Sequence, residues 1–96
     1  MPIWRWVAMP IRSEAYEKVR SMLLSQAPHT RAFPGCLSLV LYEGEGPTFY
    51  SLSSWETTEA LEAYRRSPLF RRFWEELKPY FRDSAQAVSL KALLGV

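Results

Sequence analysis

The side chains able to do chemistry in this 96-residue chain are few. His29 is the lone histidine, in a segment punctuated by Pro28 and Pro34. Cys36 is the lone cysteine, so no disulfide can close within the chain. With no basic pair beside it, that thiol reads as a small buried hydrophobe. No CxxC or HExxH spacing offers a ligand set, so no metal is expected. No Gly-rich phosphate loop occurs, since Gly44 and Gly46 read as parts of a turn, and no serine has a defensible histidine and acid. Polar groups set among apolar ones remain. Arg5 interrupts Ile3-Trp4-Arg5-Trp6-Val7, and Ser51 and Ser53 alternate along the approach to Trp55. Tyr64 lies on an amphipathic stretch, where it could donate a hydrogen bond into a cavity mouth or serve the core. Such groups donate hydrogen bonds and hold anions. None is a good base at neutral pH, because a tyrosine titrates near 10.

These groups need elements to position them. Residues 3–9 are aromatic and β-branched and read as a strand closed by Pro10. Ser13 offers an N-cap with Glu14 in the first turn, and Ala15, Val19, Met22 and Leu23 form one helical stripe. That helix is expected to stop before Pro28, leaving a loop to Gly35. Residues 36–43 and 48–55 read as strands joined by the turn Gly44-Glu45-Gly46-Pro47. Thr57 caps a helix carrying Ala60, Leu61 and Tyr64, and Ser67-Pro68 restarts it. Leu69, Phe70, Phe73, Trp74 and Leu77 follow at helical spacing up to Pro79, and residues 84–91 form a fourth strand.

The order β-α-β-β-α-β is the split βαβ, or ferredoxin-like, arrangement. It predicts an α+β fold with a four-stranded antiparallel sheet, as one domain over residues 1–96. Right-handed crossovers put the helices on one face of that sheet and leave the other uncovered. A strand with one wet side should alternate apolar and polar residues. The second strand instead carries Leu37, Leu39 and Leu41 on one side and Cys36, Val40 and Tyr42 on the other. The third splits Tyr50 and Leu52 from Phe49 and Trp55. Two apolar faces on so small a sheet point to a homodimer in which each sheet covers the other, closing a barrel-like shell around a cavity. Trp4, Trp6 and Trp74 are expected in the helix–sheet core. Arg5 shares a face with Ile3 and Val7. An unpaired charge against the helices would be costly, so Arg5 is expected on the other, wetter side. There its guanidinium either holds a phenolate, enolate or carboxylate or pairs with a glutamate across the dimer.

Composition excludes several classes. A hydrophobic fraction of 48% argues against disorder. No apolar run nears the ~20 residues that span a bilayer, and the first residues lack a leader's pattern, so a cytoplasmic protein without membrane contact is expected. The formal charge is only +2, and Arg65-Arg66 and Arg71-Arg72 interleave with Glu59, Glu62, Glu75 and Glu76. That is a mixed wet face, not the one-sided basic stripe that nucleic acid requires.

Phe33-Pro34-Gly35-Cys36-Leu37, Phe49 through Trp55-Glu56, Glu59-Ala60-Leu61-Glu62-Ala63-Tyr64 and Ser67-Pro68-Leu69-Phe70 together resemble the antibiotic biosynthesis monooxygenase (ABM) domain family. The resemblance implies a dimeric α+β barrel and, in some members, cofactor-free oxygenation of polycyclic phenols or quinols. It implies that Trp55 lines the cavity, although a core role fits an aromatic there equally well. Ser51, four positions earlier, shares its face with Phe49 and Ser53. Anthrone-oxidising members carry an asparagine where this chain has Ser51, and many members carry histidines where it has Tyr64 and Leu69. A related branch degrades haem, but the first strand here lacks that branch's asparagine and His29 lies in a loop, so no cofactor is expected. The resemblance thus implies a monooxygenase acting on a phenol or quinol through Trp55, Ser51, Phe49, Arg5 and Tyr64. A dimeric module that holds an apolar aromatic ligand without turning it over is the other reading.

Overall fold

The computed structural model describes residues 2–96. Its elements are β1 (Ile3–Pro10), α1 (Tyr16–Arg31), β2 (Cys36–Gly44), β3 (Thr48–Trp55), α2 (Thr58–Arg66), α3 (Pro68–Leu77) and β4 (Gln86–Leu90). The strands form one antiparallel sheet in the order β2-β3-β1-β4. This is the ferredoxin-like α+β fold, with β1 and β3 at its centre.

Caps and turns follow local chemistry. The Thr57 side chain accepts from the Ala60 amide and the Ser67 side chain from Phe70, so the two helices begin where their hydroxyl residues stand. Gly35 and Gly46 adopt positive φ, which other residues reach only under strain. At Gly35 a side chain would also strike the Cβ of Ala60, so the loop can lie against α2 only as glycine.

Three local expectations are corrected. Ser13 does not cap α1: it begins a 3₁₀ turn, Ser13–Ala15, that runs into the helix. Pro28 does not end α1, which continues to Arg31. A proline there loses one backbone bond, but the turn beyond it is held: the Ala32 amide donates to the Pro28 carbonyl, and Thr30 is buried against Tyr64. The fourth strand is shorter than expected, Gln86–Leu90.

Pairing assigns each strand's faces. Ile3, Arg5, Val7 and Met9 look toward the helices, with Phe49, Ser51, Ser53 and Trp55 opposite them in register. The register shift between Cys36 and Ser38 turns Cys36 to the helix side together with Leu39 and Leu41. Two apolar clusters tie the helices to this face. One joins Met9, Ile11, Val19, Leu23, Phe49 and Leu77; the other joins Ile3, Cys36, Trp55, Leu61 and Tyr64.

The other face is open. Trp6 packs there against Tyr42 and Tyr50. Trp4 and Trp6 therefore stand outside the helix–sheet core, contrary to expectation, because the register gives the inward positions to their odd-numbered neighbours. Trp74 does sit inside, against Phe70 and Phe81. Val40, Tyr42, Val88 and Leu90 on the open face are all more than 40% exposed.

Candidate functional site

A cavity of about 290 Å³ lies between the sheet and the helices. Its floor is Arg5, Val7 and Met9 of β1, Leu39 and Leu41 of β2, Ser51 and Ser53 of β3, with Ala85 and Ala87 at the β4 edge. Its roof is Leu23, Gln26 and Thr30 of α1, Leu61, Tyr64 and Arg65 of α2, and Phe70, Phe73 and Trp74 of α3. An apolar cavity of roughly 150 Å³ holds one benzene, so this one has room for about two fused rings with substituents.

The cavity is thus within one chain, under the helices, and not in the space between two open sheet faces. Arg5 points into it from the helix-covered side, which corrects the expectation drawn from the cost of charge burial. The site tolerates the charge because the helices do not close down over it, because the β4 edge of the floor, Ala85 and Ala87, is small, and because Arg5 stands in register between Ser53 and Ser89. Its Nη1 donates to Ser89 Oγ at 3.0 Å. Among the described residues no carboxylate lies within 4 Å of it. Burial lowers its pKa, Arg65 lowers it further, and Glu62 acts in the opposite sense. Glu62 is itself engaged with Arg65 at 3.1 Å. The field in this part of the cavity is positive.

Of the other candidates, Ser51 lines the floor and Tyr64 the roof. Trp55 and Phe49 do not. Trp55 is fully buried behind the cavity wall, stacked on Tyr64 at 4.9 Å, edge-on to Phe33, with its indole N–H donating to Ser53 Oγ. Phe49 stacks on Tyr16 in the other cluster. Both therefore act on the cavity through the groups they hold in place. Trp55 orients Ser53 and props the Tyr64 ring, and an aromatic pair of this kind contributes roughly 1 kcal/mol beyond its burial.

Tyr64 Oη and Thr30 Oγ1 share a hydrogen bond of 2.9 Å inside the protein. Burial pushes the Tyr64 phenol above its ordinary pKa, so at neutral pH it is a donor or acceptor and not a proton-accepting phenolate. Cys36 is buried and does not line the cavity, and burial raises its thiol pKa. His29 lies on the outer side of α1 in a separate shallow groove with Lys18 and Glu76.

Gln26, Thr30 and Arg65 were not among the residues expected from the sequence. Gln26 and Thr30 had a readable signal: with Val19 and Leu23 they continue one stripe of α1 at i, i+4, i+7 and i+11. A polar side chain at a stripe position must find a partner in the interior. Arg65 gave no such signal, since it looks like part of a wet helix face.

No His, Asp or Glu among the described residues lines the cavity. Among the described residues no group of three His, Cys, Asp or Glu side chains is arranged to hold a metal ion. No helix of the described chain is long and apolar enough to cross a membrane.

The architecture is shared with solved structures. The Rv0793 protein of Mycobacterium tuberculosis superposes with a TM-score of 0.90 at 23% identity, covering 99% of this chain and 98% of that one. An antibiotic biosynthesis monooxygenase superposes at 0.88 with 20% identity, over 96% and 99% of the two chains. A conserved protein from Methanosarcina mazei gives 0.88 at 17% identity, over 95% and 92%. At such identities the likeness speaks to the fold. Among curated proteins, none matches. The family match is direct: residues 4–76, which supply the entire floor and roof except Ala85 and Ala87, fit the antibiotic biosynthesis monooxygenase (ABM) family, and the chain belongs to it.

Proposed function

We propose that this protein is a homodimeric, cofactor-independent oxygenase whose substrate is an aromatic phenol or quinol that reacts as its anion. The observation that carries this reading is Arg5. It is a guanidinium reaching into a largely apolar cavity, with a serine as its hydrogen-bond partner and no carboxylate at hand. A cation so placed favours an anion beside it and lowers the pKa of a bound phenol.

The chemistry is simple in outline. An anthrone-type substrate loses a proton and becomes an electron-rich enolate. The enolate transfers electrons to O₂, and one oxygen atom stays on the ring carbon as a new carbonyl. The other leaves as water with the two hydrogens that the carbon gave up. The protein supplies a sized, largely apolar cavity, hydroxyls at Ser51 and Ser53, and the positive field of Arg5 and Arg65. It supplies no neutral-pH base in the lining, so the proton passes to solvent, and the reaction favours substrates acidic enough to ionise beside Arg5.

The test is oxygen consumption with 1,8-dihydroxyanthrone and 1,4-naphthohydroquinone. With 1,8-dihydroxyanthrone, catalysis predicts one O₂ used per anthraquinone formed and no hydrogen peroxide. With 1,4-naphthohydroquinone it predicts one O₂ per 2-hydroxy-1,4-naphthoquinone, since simple oxidation to 1,4-naphthoquinone would release hydrogen peroxide. Both activities should fall strongly in Arg5→Ala. The kcat/KM profile should rise on an acidic limb that moves with the substrate's own pKa across a substituted series, since no protein base sets it. A limb fixed at one pH for every substrate would overturn the account of the proton.

The missing base favours one other reading: a dimeric module that binds an apolar aromatic anion without turning it over. It predicts thermal stabilisation by the same compounds with no oxygen uptake. In either case the open face of the sheet, with Trp6, Val40, Tyr42 and Val88, is where a second copy docks.

A further inference from the structure

Among the described residues, Gln26 Nε2 is the buried polar side-chain atom in the cavity left without a well-formed hydrogen bond. It is out of contact with solvent, although it lies close enough to the Tyr64 hydroxyl in the roof to favour that group's ionised form. The Tyr64 hydroxyl is engaged with Thr30. A buried amide donor without a partner costs stability, so its retention on the apolar stripe of α1 calls for an acceptor that arrives from elsewhere.

The geometry fixes where that acceptor must be. α1 lies over β2, one edge of the sheet, while Arg5 reaches sideways to Ser89 on β4, the opposite edge. Gln26 and Arg5 therefore address the same cavity from opposite sides. Between them the lining is mostly apolar: Val7, Leu39, Leu41, Leu61, Phe70 and Phe73.

We propose that Gln26 is a specificity-determining residue whose amide donates to an acceptor oxygen at the end of the ligand remote from Arg5, so that the cavity selects flat aromatics carrying oxygen functions at both ends. This rests on the reading of the cavity as an anion-holding aromatic site and deepens it. An anion faces Arg5, fused rings fill the apolar middle, and a carbonyl or ether oxygen faces Gln26. A hydrocarbon end at Gln26 leaves the amide unpaired, and sites built to hydrogen-bond a polar group discriminate strongly against its absence.

The experiment uses calorimetric titration with three probes: 2-naphthoate, 6-methoxy-2-naphthoate and 6-ethyl-2-naphthoate. The last two differ by an oxygen in place of a methylene and have nearly the same shape. The wild type should bind the methoxy compound about tenfold more tightly than the ethyl one, the upper range for one neutral hydrogen bond. Gln26→Leu should bring that ratio to one or invert it, while changing 2-naphthoate affinity by less than about threefold, because the Arg5 end is untouched. The same variant should raise the melting temperature of the ligand-free protein, since it removes an unpaired buried amide; a stable variant that has lost discrimination rules out misfolding as the cause.

A wild type that binds 2-naphthoate but does not separate the methoxy and ethyl probes would overturn the assignment of Gln26 and leave the anion site standing. So would an unchanged ratio in Gln26→Leu. Failure of all three probes to bind the wild type would overturn the anion-site reading itself, and this inference with it.

Discussion

The two faces of one sheet are built from alternate residues of the same strands, and they do opposite things. On the helix-covered face, Trp55 is 0% exposed, and its single polar atom is bonded to Ser53. On the open face, Trp6 is partly buried and leans on Tyr42, itself 44% exposed, and on Tyr50. The covered face spends its large aromatics on a wall and leaves a gap floored by smaller residues and Arg5. The open face carries aromatics of similar size, with Trp6 packed on Tyr42 and Tyr50. The difference teaches that the sheet's own aromatic residues do not line the cavity; its aromatics, Tyr64, Phe70, Phe73 and Trp74, come from the helices. On the covered face the sheet's aromatics hold the wall, and on the open face they leave an apolar surface exposed.

The sharpest break between the faces is a pair of tryptophan truncations. Trp55→Ala opens a void in the second cluster and frees Tyr64 and Ser53, with an expected loss of about 3–5 kcal/mol by urea unfolding. Trp6→Ala, measured at concentrations where the chain is monomeric, should cost clearly less than that, because the ring is only partly buried and packs on the exposed Tyr42. Equal losses would mean that the open face is as much a core as the covered one. At higher concentration the order reverses for association. Val88→Asp or Tyr42→Asp should weaken the dimer by at least about 100-fold in sedimentation equilibrium, the equivalent of one uncompensated buried charge at ~3 kcal/mol. A wild type that stays monomeric at all accessible concentrations would remove the assigned partner of this face.

How much of this was legible in the sequence follows from the same contrast. The element order and the starts of α2 and α3 were readable because Thr57 and Ser67 act locally, through hydroxyls that accept from their own helix's amides, and Pro68 fits the first helical position. Alternation along β1 correctly separated Arg5 from Trp4 and Trp6. It could not say which set met the helices, since period 2 divides residues into faces without naming the faces. Charge then argued for the wrong side. A guanidinium under helices is costly only if the helices close over it, and the gap above Arg5 is a property of the packing of α1, α2 and α3 together. Pro28 misled for a related reason: the local rule against proline within a helix was outweighed by Thr30, whose tie to Tyr64 holds the last turn from 34 residues away in the chain. Trp55 was undecidable, because an aromatic at a strand end fits a wall and a lining equally well, and the deciding contacts with Phe33 and Tyr64 come from other elements.

Arg5 sharpens the comparison at the level of the site. Arg5→Met keeps the stem and removes the charge. It should weaken 2-naphthoate binding by about 10- to 100-fold, the range for a charge-assisted hydrogen bond, and leave unfolding stability unchanged or higher, since a desolvated cation is removed. The pattern of lost binding with retained stability belongs to a functional charge. Lost stability with unchanged binding would mean that Arg5 serves the fold through Ser89 alone.

The smallest expected effect lies at the rim of the covered face, where α1 is fastened to β2. Glu43 accepts from the Tyr16 hydroxyl at 3.0 Å and from Arg20 at 2.8 Å. These two bonds hold its carboxyl below the ordinary carboxylate range, Tyr16 first and Arg20 second. All three groups are at the surface, so the contribution is modest and screened by salt. Its sign is nevertheless defined. A carboxyl whose folded pKa is depressed stabilises the fold above its unfolded pKa, near 4.3, and loses that contribution as the pH falls through the lower folded value. Glu43→Gln keeps an acceptor for both donors and removes only the charge. Its urea midpoint should therefore sit slightly below that of the wild type at pH 7, and the two should converge in acid as wild-type Glu43 takes up its proton. A gap that persists or widens in acid would show that the carboxylate's charge is not what fastens α1 to the sheet, and that the covered face owes its closure to the apolar clusters alone.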